Sequence, residues 1–197
     1  DPVATAKKRI RLPIDLTQLF RRYFINTLFD STFVVLAIVS AAIVAPETNI
    51  PFTLGTLAAA CLAIGISTGL SVYEAERVET EIRMAKLERA MLTDLQDTDV
   101  HRSLRAHRAL VSLVNFAAPL AVFAITSIPF VLHLVGGWPG LADAAQASIA
   151  LAIILVFVSG YALGRLLGGN PLRQGLRMTI AALATFIVLV LVQTYVL

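Results

Sequence analysis

Residues 21–45 read RRYFINTLFDSTFVVLAIVSAAIVA. Two arginines open an apolar run long enough to cross the hydrocarbon of a bilayer, which takes about 20 helical residues. One carboxylate, Asp30, lies inside the run, eight residues past Arg22, or about 12 Å along a helix. An ionisable group at that depth is expensive and by default marks a polar path or a partner. Asn26 stands one turn earlier on the same helix face.

Four more runs resemble the first. The spacing predicts spans over 23–45, 52–73, 109–135, 147–163 and 178–196, separated by breakers. Pro46 and Pro51 bracket the first turn. Gly136, Gly137, Pro139 and Gly140 form the third connection, and Gly168, Gly169, Asn170 and Pro171 the fourth. The composition agrees. Of 197 residues 57% are hydrophobic and 15% charged, well below the charge of a soluble domain, with mean hydropathy +0.79. The predicted fold is an all-α integral membrane bundle of five transmembrane helices. Its parts are a basic segment (1–22), spans one and two (23–73), a helical extension (74–108) and spans three to five (109–197).

Charge placement orients the bundle. All 16 Lys and Arg residues fall on one side: Lys7, Lys8, Arg9, Arg11, Arg21 and Arg22 before the first span, seven between the second and third, and Arg165, Arg173 and Arg177 at the fourth connection. The other side carries only Glu47 and Asp143. The positive-inside rule places the basic side and the N-terminus in the cytoplasm and the C-terminus outside. The chain opens on Asp1 rather than Met, which reads as a trimmed start, and DPVATAKKRIRLPIDL is too polar for a cleavable signal. A pI near 9.4 comes from these span-flanking charges; there is no basic stripe with interleaved aromatics, so nucleic acid is not an expected partner. The lone Cys61 excludes a disulfide framework. No Ser/His/Asp set, HExxH or phosphate loop appears, so neither an enzyme nor a permanently bound cofactor is expected.

Two groups of residues are candidate cation ligands. Counting inward from Arg22, Glu74 and Arg108 places Ser67 and Thr68 of the second span and Asn115 of the third near the depth of Asp30. Carboxylate, hydroxyl and amide oxygens suit hard or borderline divalent cations, although Ser, Thr and Asn also serve as plain interhelical hydrogen-bonders. The second group lies past the second span, where EAERVETEIRMAKLERAMLTDL has no breaker and continues the helix over 74–95, followed by a turn at QDTD. Glu74, Glu81 and Glu88 repeat every seven residues, with Met84 and Met91 interleaved, a set able to collect a borderline metal. The competing reading is a solvated helix held by Glu79–Arg83 and Glu74–Arg77 pairs. His101 and His107 do not share a face, and His133 stands alone at the outer end of the third span. GxxxG spacings at Gly65/Gly69 and at Gly160/Gly164/Gly168 point to close helix packing, within the chain or between chains.

Three stretches resemble the vacuolar iron transporter family: RRYFINTLFDSTFVVLAIVSA its first helix, ISTGLSVYEAERVETE the end of its second, and GGNPLRQGLRM the start of its fifth. The resemblance runs over most of the chain from Arg21. It implies export of iron(II), or manganese(II), from the cytosol by proton exchange, and a prokaryotic cell membrane as the location. It also implies a homodimer with the pore between the two first helices, and Asp30 as the pore aspartate. Departures are plain as well. Thr68 stands where many members have Met, Val72 where many have Glu, and Ser31 replaces the usual Gly, while the insert after the second span is short. Those losses favour an alternative, a non-transporting membrane scaffold whose cytoplasmic helices bind a protein partner; the retained Asp30 opposes it.

Overall fold

The computed structural model describes residues 16–44, 49–92, 99–136, 140–166 and 168–196. They form six helices: α1 Leu16–Val44, α2 Ile50–Met91, α3 Asp99–Thr126, α4 Ile128–Leu134, α5 Leu141–Leu166 and α6 Pro171–Val196. Five are long and apolar enough to cross a membrane. The expected all-α membrane bundle is therefore the fold. The basic segment before residue 16 and the expected QDTD turn, except Asp99, lie outside the described residues.

The chain pairs its helices in two hairpins, α2 with α3 and α5 with α6, and sets α1 among α3, α5 and α6. As a result α1 is the most enclosed span, with 44% of its window buried, while α6 is the least, at 11%. The core between them is Leu28, Val35, Val39, Leu57, Cys61, Val122, Phe130, Ala144 and Ala145. Close approach is made by small residues. A Cβ on Gly65 would lie 2.8 Å from the Phe116 carbonyl oxygen, and one on Gly164 2.8 Å from the Pro171 Cα. Both GxxxG pairs thus serve packing inside the chain, Gly65/Gly69 against α3 and Gly160/Gly164 against α6. Gly168 does something else: with φ +70° it makes the turn between α5 and α6.

Helix starts and stops follow local chemistry. Asn49 caps α2, its side-chain oxygen accepting from the Phe52 N–H at 2.8 Å with Pro51 in the first turn. The same helix runs unbroken to Met91 and ends on Leu92 at φ 50°. The long extension predicted past Tyr73 is present, ending about one turn earlier than Leu95. The third span needs a correction. It is not one helix over 109–135: it breaks at Ser127 between α3 and α4. Pro129 has no N–H to give the Ile125 carbonyl, so the ladder is interrupted there. The exposed backbone is served locally. Ser148 Oγ of α5 donates to the Thr126 carbonyl at 2.8 Å, and the Val131 N–H bonds the Ser127 carbonyl at 3.0 Å. Apolar surroundings leave such groups no water to turn to, which is why a neighbouring helix supplies the hydroxyl.

Candidate functional site

The polar residues of α1 divide between two faces. Thr27, Ser31 and Thr32 are buried, whereas Asn26 and Asp30 are exposed. The buried set is satisfied within the bundle. Thr27 Oγ1 donates to Asn115 Oδ1 at 2.8 Å, Ser31 Oγ to the Thr27 carbonyl at 2.6 Å, and Thr32 Oγ1 to the Leu28 carbonyl at 2.7 Å. The exposed set is self-contained: Asn26 Nδ2 donates to Asp30 Oδ2 at 3.2 Å, the i,i+4 relation read from the sequence. Among the described residues no Lys or Arg pairs with Asp30. The carboxylate therefore stands on the outer surface of the most enclosed span.

The neutral oxygens expected around it are placed differently from one another. Ser67 is exposed on α2. Thr68 is half-buried and gives its hydrogen to its own helix, to the Ile64 carbonyl at 2.7 Å. Asn115 is buried on Thr27. Within one chain no hydrogen bond joins Asp30 to Ser67, Thr68 or Asn115, among the described residues. The pairing of Asn26 with Asp30 one turn on was legible from the sequence; helix rotation, which turns Asn115 to Thr27 and leaves Asp30 outside, was not.

On the α2 extension the ion pairs are the observed arrangement. Arg77 bridges Glu81 at 3.1 Å and Glu74 at 3.8 Å, and Arg83 meets Glu79 at 2.9 Å. Glu81, through its hydrogen bond, and then Glu74 hold the Arg77 guanidinium more firmly protonated than usual. Met84 is buried and Glu88 half-buried, while Glu74 and Glu81 are exposed. Among the described residues no three His, Cys, Asp or Glu side chains converge as a metal site.

Contacts that residue spacing did not reveal tie the helices together. The Arg108 guanidinium lies 4.6 Å from the centre of the Tyr73 ring and donates to its hydroxyl at 3.2 Å. Ser112 Oγ donates to the Gly69 carbonyl at 2.6 Å. Gln193 Nε2 donates to the Ala37 carbonyl at 2.9 Å, 156 residues away in sequence, and its own carbonyl oxygen is buried without a partner. A Tyr at one span end and an Arg at the next is a recognisable interfacial signal; the other two contacts depend on helix rotation and have none.

Compared with family models, with curated proteins and with solved structures, the chain matches none. The chemistry of its own residues carries the functional reading.

Proposed function

We propose that the chain is a membrane transporter exporting a divalent cation of the iron(II) or manganese(II) class from the cytoplasm in exchange for protons. It works as a homodimer and is a relative of the vacuolar iron transporter family it resembles. One observation carries the reading: Asp30 is exposed on an apolar span with Asn26 as its hydrogen-bond donor. A carboxylate left against lipid at mid-helix costs about 2.5–3.5 kcal/mol on insertion scales. A second copy related by a two-fold axis removes that cost by enclosing the group in a shared polar path.

In such a pair two Asp30 carboxylates face one another, with Asn26 and the exposed Ser67 hydroxyl as neutral oxygens and Thr68 behind. Two anions in a poorly solvated space repel, and either protons or one dication relieves the repulsion. Cation and protons compete for the same oxygens, so loading one expels the other. The glutamates of the α2 extension would draw cations to the cytoplasmic mouth, each exposed carboxylate contributing weakly. The test is flux in liposomes with metal-sensitive and pH-sensitive dyes read together. Wild-type protein is expected to move metal one way and protons the other, and Asp30→Asn to do neither while still folding. Wild-type rates from Asp30→Asn would end the exchange mechanism. Absence of flux from the wild type would leave the scaffold reading.

A further inference from the structure

Past Tyr73, α2 has two faces. Glu76, Thr80 and Met84 are buried on one. On the other, Val78 is 54% exposed, Ile82 46% and Leu92 92%, with Ala75 and Ala85 exposed as well. In lipid such exposure is ordinary. But α2 has 42 residues, about 63 Å of helix, and hydrocarbon accounts for about 30 Å. Roughly 20 residues therefore stand in water, and an apolar seam runs along them uncovered.

Its spacing is regular. Positions 75, 78, 82, 85, 89 and 92 alternate steps of three and four, the a and d positions of a heptad. Ala75, Ile82 and Arg89 fall at a, and Val78, Ala85 and Leu92 at d. Glu74 and Glu81 then fall at g, Glu79 and Lys86 at e.

We infer that the α2 extensions of two copies of this chain pair through this seam as a parallel two-stranded coiled coil. The occupant is a second copy for two reasons. Copies inserted the same way round in one bilayer present α2 helices that point the same way and leave the membrane at the same depth, so parallel orientation and register need no further device. The charges also match. In a parallel pair each g position faces the next e position of the other helix, which sets Glu81 of each copy against Lys86 of the other. The like-charged facing pair, Glu74 and Glu79, has cations on its own helix: Arg83 meets Glu79 at 2.9 Å, and Arg77, shared with Glu81, lies 3.8 Å from Glu74. The same helix face continues inward through the exposed Ser71 and Ser67, small enough for the two helices to stay close. Arg89 in the seam costs stability and fixes register. The seam is too short to associate strongly in free solution; confinement in one membrane supplies the effective concentration.

The inference rests on the homodimer of the proposed function and is tested separately from transport. Full-length protein carrying Cys61→Ala and one new cysteine, Val78→Cys, Ile82→Cys or the off-seam control Arg83→Cys, is reconstituted in liposomes and oxidised with diamide. The seam variants are expected to form disulfide dimers several-fold faster than the control. Lys86→Glu should slow cross-linking at Ile82→Cys, and adding Glu81→Lys should restore it. Equal rates at Arg83→Cys, or no dimer from either seam variant, overturn the coiled coil. Metal flux by wild type is measured in parallel: flux without seam cross-linking removes the coiled coil and leaves the exporter, and cross-linking without flux does the reverse.

Discussion

Thr27 and Asp30 lie three residues apart on α1, one buried on Asn115 and the other exposed beside Asn26. The difference predicts opposite mutant behaviour. Thr27→Val removes an interhelical hydrogen bond and keeps the shape, so it should lower stability by about 0.6 kcal/mol, the average for such bonds in membranes, and by no more than about 1.7. Flux should remain. Asp30→Asn should leave unfolding in detergent unchanged and abolish flux, and Asp30→Glu should retain partial flux with altered ion preference, since the charge stays but moves by one methylene. Asn26→Ala is expected to weaken metal affinity severalfold without destabilising, because it removes the donor that aims the carboxylate and one neutral oxygen of the proposed site, and no interhelical contact. Thermal unfolding and flux measured on the same preparations separate the four variants. A Thr27→Val protein that is stable but inactive would place the ion site on the inner face instead.

At the level of elements, α5 and α6 approach one another closely at Gly164. Gly164→Val would push a side chain into the Pro171 Cα and the Gln174 Cβ, neither of which can rotate away. A loss of about 1–3 kcal/mol is expected, read as a lowered unfolding midpoint in detergent. The α2 extension should behave oppositely. Changing Glu74, Glu81 and Glu88 together to Gln breaks pairs that are more than half exposed at Arg77, each contributing about 0–1 kcal/mol, so the midpoint should barely move. Calorimetric metal binding to the extension should weaken; unchanged binding would leave these glutamates as solvation and helix pairing alone. Span positions and the unbroken α2 were legible in the sequence because each depends on one helix and its period; the GxxxG spacings signalled close packing but left open whether the partner lay within the chain or in another copy. The break at Ser127 was not legible in the sequence. Pro129 was visible in it, but a Pro near a span end is tolerated when a neighbour re-satisfies the backbone, and that neighbour, Ser148, is 22 residues away. The same limit hid Gln193 on Ala37 and turned Asn115 away from Asp30.

For the molecule as a whole, orientation is testable without transport. Ala142→Cys should react with an impermeant thiol reagent added outside, and Arg173→Cys should not; reaction at Arg173→Cys from outside would invert the assignment of the basic side to the cytoplasm. The central place of α1 has a consequence in time. It is synthesised first, yet the helices that enclose it, α3, α5 and α6, come later. From Val44 to Leu166, at ribosomal rates, takes about 6–24 s. During that interval α2 and then α3 join it, and Asn115 of α3 satisfies Thr27, but the cover that α5 and α6 give the rest of α1 is still incomplete. A nascent chain halted after α4 should therefore be a preferred substrate for membrane quality-control proteases, and one halted after α6 should not. The helix that carries the charge is the one whose survival depends on the end of the message being read.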